Sequence, residues 1–221
     1  MLPTTHTLLL LLLSLAVRRS VQLCAPDCTG TDPETFVRDP TDCTRYYVCI
    51  NVNGVNTPSE VPLQCTDGYY FNDAHSIPRC DPIEGAPAGF CSRLCDPCIP
   101  DCNGNNPGTE QPNPTDCSKF VVCLTDPNVY LENDCDVATP YYDFKHSICQ
   151  SDETLCYPYC DICEPHCTYS GQRVIDPTDC HQFYLCSPPN KSVFLCPQEQ
   201  VFNTVTGECE DGAVCETLCP N

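Results

Sequence analysis

The sequence predicts a small disulfide-rich, mainly β protein: three tandem cysteine-stapled units, each with antiparallel hairpins and little helix. Three observations predict it. The chain holds 24 cysteines in 221 residues, with no Trp and one Met, a composition that belongs to disulfide scaffolds of oxidising compartments. An eleven-residue stretch, Asp39-Pro-Thr-Asp-Cys-Thr-Arg-Tyr-Tyr-Val-Cys49, returns as Asn113 to Cys123 and as Asp176 to Cys186. Around it the cysteines fall into three sets of eight, in which the first gap is always three residues, the third five and the last three. The remaining gaps vary, as loops between fixed points do.

Within the repeated stretch, Asx-Pro-Thr-Asp reads as a capped turn or a short helical start. The side chain of Asp39, Asn113 or Asp176 accepts from N–H groups just ahead, and the proline has no N–H to leave unpaired. The five residues between the cysteines are rich enough in aromatic and β-branched side chains for a strand. In the third copy, Phe183 to Cys186 and Ser192 to Cys196 flank the turn-rich link Ser187-Pro-Pro-Asn-Lys191, which predicts a hairpin. Between the fifth and sixth cysteines of each set comes a second aromatic unit, Gly68-Tyr-Tyr-Phe-Asn72, Pro140-Tyr-Tyr-Asp143 and Gln200-Val-Phe-Asn203. The only N-glycosylation sequon, Asn190-Lys191-Ser192, falls at the expected hairpin tip, where it is accessible.

The expected division is a signal peptide over residues 1–22, then units over 23–96, 97–161 and 162–221. Leu8 to Val17 is an apolar run of ten residues, short for a bilayer span and placed as a signal h-region. Its flank departs from the usual pattern, with arginines (Arg18, Arg19) after the run rather than before it. The chain is therefore expected to be secreted and extracellular. Units of this size bury little core, and each bridge adds about 2–4 kcal/mol by restricting the unfolded chain.

The formal net charge is −20, from 30 acids and 10 bases. That disfavours nucleic acid and anionic membrane as partners. No metal or cofactor is expected. Asp101, Asn103 and Asn105 have the spacing of calcium ligands, but Asn106 stands where such a loop needs glycine and Pro112 where it needs glutamate.

The six inner cysteines of each set, the Asp-Pro-x-Asp-Cys-x-x-aromatic-x-x-Cys motif and the later aromatic-Asn unit together resemble the peritrophin-A type chitin-binding domain of arthropods. The likeness runs over Cys28 to Cys91, Cys102 to Cys156 and Cys167 to Cys215. It implies Cys28–Cys49, Cys43–Cys91 and Cys65–Cys80 in the first unit and Cys102–Cys123, Cys117–Cys156 and Cys135–Cys149 in the second. In the third it implies Cys167–Cys186, Cys180–Cys215 and Cys196–Cys209. The outer cysteines depart from the six-cysteine pattern. Bonds across the Cys95-Asp-Pro-Cys98 and Cys160-Asp-Ile-Cys163 junctions, or zinc there, compete with closure within each unit. Closure as Cys24–Cys95, Cys98–Cys160 and Cys163–Cys219 leaves no cysteine over and is preferred. The resemblance implies a non-catalytic, chitin-binding structural protein of an extracellular matrix (peritrophic matrix, cuticle or egg envelope), with chitin and other matrix proteins as partners.

Chitin presents flat pyranose faces and acetamido groups, so a binder needs exposed rings and a few polar atoms. The candidates are Tyr47 and Tyr184 on the repeated strand, then Tyr70, Phe71 and Asn72, then Tyr141, Tyr142 and Asp143, then Phe202 and Asn203. The other strand face, Tyr46, Phe120 and Phe183 alternating with Val48, Val122 and Leu185, reads as core. Phe71 and Phe202 fit a core role equally well, and Asn72 and Asn203 a turn. With Val121 and Asp143, the second unit is expected to bind most weakly. No Ser/His/acid or paired-carboxylate arrangement recurs, so no catalytic residue is expected. A cysteine-rich defence protein, antimicrobial or protease-inhibiting, is the alternative.

Overall fold

The computed structural model describes residues 23–103 and 105–219; the signal segment expected over residues 1–22 lies outside them. The chain is mainly β, and the same two-part arrangement occurs three times. In the first repeat, β1 (Phe36–Arg38), β2 (Arg45–Val52), β3 (Val55–Pro58) and β4 (Leu63–Gln64) form one antiparallel sheet around β2. A separate hairpin follows, β5 (Tyr69–Asn72) with β6 (Arg79–Pro82). The second repeat has β7 (Glu110–Pro112), β8 (Lys119–Cys123) and β9 (Tyr130–Asp134), then the hairpin β10 (Tyr141–Asp143) with β11 (Ile148–Gln150). The third has β12 (Arg173–Asp176), β13 (Asp179–Ser187) and β14 (Asn190–Leu195), then β15 (Val201–Asn203) with β16 (Glu208–Glu210). Among the described residues the only helical turn is a 3-10 turn, Glu153–Leu155, capped by Asp152 through Thr154 N.

The repeated Asx-Pro-Thr-Asp segment is a pair of Asx turns. Asp39 Oδ1 accepts from the N and Oγ1 of Thr41 at 2.8 and 2.7 Å. Asp176 holds Thr178 likewise at 2.9 and 2.8 Å, and Asn113 holds Thr115 at 3.1 Å on both atoms. The second acid repeats the device one step on: Asp42 accepts from Thr44 N, Asp116 from Ser118 N and Asp179 from His181 N. The segment thus satisfies its own donors and delivers the chain into the central strand without a helix.

Each repeat carries four bridges. They are Cys24–Cys95, Cys28–Cys49, Cys43–Cys91 and Cys65–Cys80 in the first repeat. The second has Cys98–Cys160, Cys102–Cys123, Cys117–Cys156 and Cys135–Cys149. The third has Cys163–Cys219, Cys167–Cys186, Cys180–Cys215 and Cys196–Cys209. One bridge per repeat staples the hairpin to the chain leaving the sheet, and the main chain reinforces it: Cys65 N donates to Thr44 O, Cys135 N to Ser118 O and Cys196 N to His181 O, each at 2.8 Å. The cores are small and consist largely of half-cystines with a few rings.

Candidate ligand-binding face

Side chains alternate across a strand, so the buried half-cystine at the end of each central strand decides which face turns inward. Cys49 and Cys123 are fully buried and Cys186 nearly so. Tyr47, Val121 and Tyr184 share their parity and point the same way. Tyr47 is accordingly 7% exposed and Val121 0%, while Tyr184 is only half-buried. The face expected to be surface is therefore the sulfur-lined interior in the first two repeats. The face expected to be core, with Tyr46, Phe120 and Phe183, is half-open in all three. The cysteine parity was present in the sequence and outweighs the aromatic alternation, because in units this small a buried bridge is the core.

On the half-open face each strand ring lies parallel to a buried ring from the hairpin. Tyr46 stacks on Phe71 with centroids 4.8 Å apart and planes 14° apart. Phe120 stacks on Tyr142 at 5.2 Å and 16°, and Phe183 on Phe202 at 5.2 Å and 17°. Phe71, Tyr142 and Phe202 are buried, so they are the floor and the strand rings the layer above. Burial pushes the Tyr142 hydroxyl up to about 12. Further rings flank the first and third layers. Phe36 meets Tyr46 edge-on at 5.5 Å, and Phe194 lies parallel to Phe183 at 5.7 Å and 18°.

The remaining candidates sit as follows. Tyr70 is buried against Phe90. Tyr141 is half-buried, opposite Gln150. Lys191 lies over the Tyr184 ring at 5.6 Å. Burial, reinforced by the charge of Asp39, pushes the Tyr47 hydroxyl up to about 12.

Asn72, Asp143 and Asn203 shape the hairpin turns. Their Oδ1 atoms accept from Ala74 N, Lys145 N and Val205 N at 3.0, 2.9 and 2.9 Å. Each also makes an amide–carboxylate bond to the residue after the sixth cysteine, partners that the sequence reading missed. Asn72 Nδ2 donates to Asp81 Oδ2 at 2.8 Å and Asn203 Nδ2 to Glu210 Oε2 at 2.8 Å. In the second repeat the roles are exchanged: Gln150 Nε2 donates to Asp143 Oδ2 at 2.6 Å. The acid at Asp143 is compensated by the amide at Gln150, so this hairpin is as well pinned as the others. A histidine joins in two repeats, His75 with Asp81 at 2.6 Å and His146 with Asp143 at 2.5 Å. Hydrogen bonds from His75, Asn72 and Arg79 hold the Asp81 carboxyl down at about 2.

Residues 28–86 and 167–215 match the model of the chitin binding Peritrophin-A domain. Both stretches contain a complete half-open face, Phe36, Tyr46 and Phe71 in one and Phe183, Phe194 and Phe202 in the other. No curated protein matches the chain. A carbohydrate-binding family is indicated, and no enzyme family is.

Proposed function

We propose that this is a secreted, non-catalytic chitin-binding protein of an extracellular matrix, with residues 1–22 as its signal peptide and three tandem chitin-binding units over 23–96, 97–161 and 162–221. The observation that carries the reading is the coincidence of the two Peritrophin-A stretches with half-open aromatic faces, each built on a buried ring. A ring held in place by a second ring meets a pyranose face without losing much side-chain freedom. Tyr46, Phe120 and the ring layer built on Phe183 are the proposed contacts, with Tyr141 and Tyr184 at the margins. The binding is of a neutral polymer, so the acidic surface does not oppose it, and three weak sites along one chain reinforce each other through effective concentration. Asn190 is exposed at the start of β14 and is the proposed glycan acceptor.

The test is retention of the oxidised protein on chitin beads, with cellulose beads as control. Retention on chitin alone that persists in high salt is expected. Equal retention on cellulose, or elution by salt, counts against recognition of the acetamido polymer.

A further inference from the structure

The three faces share a floor and a middle ring but differ in what pairs with that ring across the strand. Tyr46 faces Leu63, Phe120 faces Asn133 and Phe183 faces Phe194. Only in the third repeat does the cross-strand partner extend the stack to three rings. Phe183 is the shared member, parallel to Phe202 on the buried side and to Phe194 beyond it. Exposure rises along the series, from 3% at Phe202 to 45% at Phe194.

Among the described residues β14 is an edge strand, so the outward side of this ring is open. Arg173 supplies part of the setting. Its guanidinium lies 5.7 Å from the Phe183 centroid, donates to Gly207 O at 3.3 Å and pairs with Glu208, so the side chain is fixed beside the stack. Side chains of Ser192, Phe194, Leu185 and Phe183 fall on this one face by strand alternation and register. The result is a rigid apolar ring with the Ser192 hydroxyl on the same face of its own strand, while Arg173 lies on the far side of β13, braced against Phe183 by Gly207 and Glu208. That is the chemistry of a site for a neutral sugar ring bearing an acetamide: C–H groups against the π face, a hydroxyl donor for the amide oxygen.

We propose that Phe194 is the principal sugar-stacking residue of the protein, and that the third repeat is its strongest chitin site. This rests on the chitin-binding reading above and lies within the matched stretch 167–215. The outward face of Phe194 takes a pyranose ring, and Phe183 and Phe202 hold it rigid. Leu195, the next residue, is 74% exposed but points to the opposite side of β14, so it contributes apolar area without serving the site.

The test is a binding isotherm of the full-length oxidised protein on chitin particles, with cellulose as control. Phe194→Ala is expected to weaken binding by about three- to tenfold. Phe194→Tyr, which keeps the ring, and Leu195→Ala, which removes comparable exposed apolar area elsewhere, are expected to bind as the unchanged protein does. Should Phe194→Ala fail to fold, Phe194→Leu keeps the bulk without the π face, and the same loss is expected of it. Unchanged protein that binds, together with a Phe194→Ala or Phe194→Leu variant that binds equally well, overturns the assignment and leaves the chitin reading standing. Equal losses in Phe194→Ala and Leu195→Ala overturn it in favour of general apolar adhesion. No retention of the unchanged protein overturns the chitin reading and the assignment with it.

Discussion

The second and third repeats are built to one plan and end in different surfaces. Both set a parallel ring pair on a cysteine-bolted strand, Phe120 on Tyr142 and Phe183 on Phe202. Both close the hairpin with an amide–carboxylate bond. Above the pair, however, the second repeat places Asn133 across the strand and the third places Phe194. The same scaffold therefore carries a polar neighbour in one case and a continued aromatic stack in the other. Under the proposed assignment, affinity turns on one cross-strand position, while the fold rests on the sulfurs and the buried ring.

If the floor ring is common structure, removing it should cost both repeats alike, and this is the largest effect expected. Tyr142→Ala and Phe202→Ala each delete a ring less than 4% exposed and should each destabilise their repeat by about 3–5 kcal/mol. Hydrogen exchange resolved by repeat would show faster exchange in the mutated repeat only. A Phe202→Ala protein with unaltered exchange in β13 and β15 would break the comparison, since Phe202 would then not be the base of the stack.

The exchanged hairpin bond gives a smaller and more discriminating test. Asp143→Asn turns the Oδ2 acceptor of Gln150 and His146 into a donor, while its Oδ1 can still accept from Lys145 N, with an expected loss of about 1–3 kcal/mol. Adding Gln150→Glu recreates the arrangement of the first repeat, in which the acid after the cysteine serves both the amide and the histidine. The double variant should recover most of the loss in thermal melts. Additive losses would show that the two positions are not coupled, and the equivalence of the hairpins would fall.

Much of this was legible in the sequence. The turn pairs follow from Asx-Pro-Thr-Asp, because each acceptor and the donors it serves lie within three residues. The β class, the spacing of the elements and the position of the hairpins follow from the cysteine frame and the alternation of the strands. The orientation of the central strand in the first two repeats follows the parity of Cys49 and Cys123 and not the aromatic alternation of Tyr46 and Phe120, because the buried bridge is the core there. Phe194 carries no motif of its own; its place in the stack comes from a register with Phe183 that the intervening link sets, and the length of that link differs between repeats. Asp81, Gln150 and Glu210 were missed for a related reason: a compensating pair is visible only when the partner is known.

Transplanting the difference sharpens it further. Asn133→Phe places a ring opposite Phe120, as Phe194 stands opposite Phe183. An added ring of this kind contributes about 0.5–1.5 kcal/mol, so the variant should bind chitin particles a few-fold more tightly than the unchanged protein. Lack of any gain, in a variant whose melting is unaltered, would mean that the cross-strand ring alone does not make the site.

The smallest expected effect concerns the chain just before the first strand of each sheet. Gly108 N donates to Cys123 O and Gly171 N to Cys186 O, each at 2.8 Å, and both glycines have φ of +88°. In the first repeat the equivalent bond, to Cys49 O at 2.7 Å, comes from Glu34, which holds φ of +66°. A left-handed conformation costs a residue with a Cβ about 1–2 kcal/mol, whereas glycine adopts it freely but loses more entropy on folding. The two terms partly offset, so Glu34→Gly should stabilise the first repeat by about 0.5 kcal/mol. The reciprocal change Gly171→Ala should destabilise the third by about 1 kcal/mol; a Cβ there meets nothing within 4 Å, so the cost is conformational rather than steric crowding. Opposite signs in the two melts would show that the first repeat keeps a strained residue where its siblings keep glycine. A destabilised Glu34→Gly protein would instead mean that the Glu34 side chain makes up for its backbone.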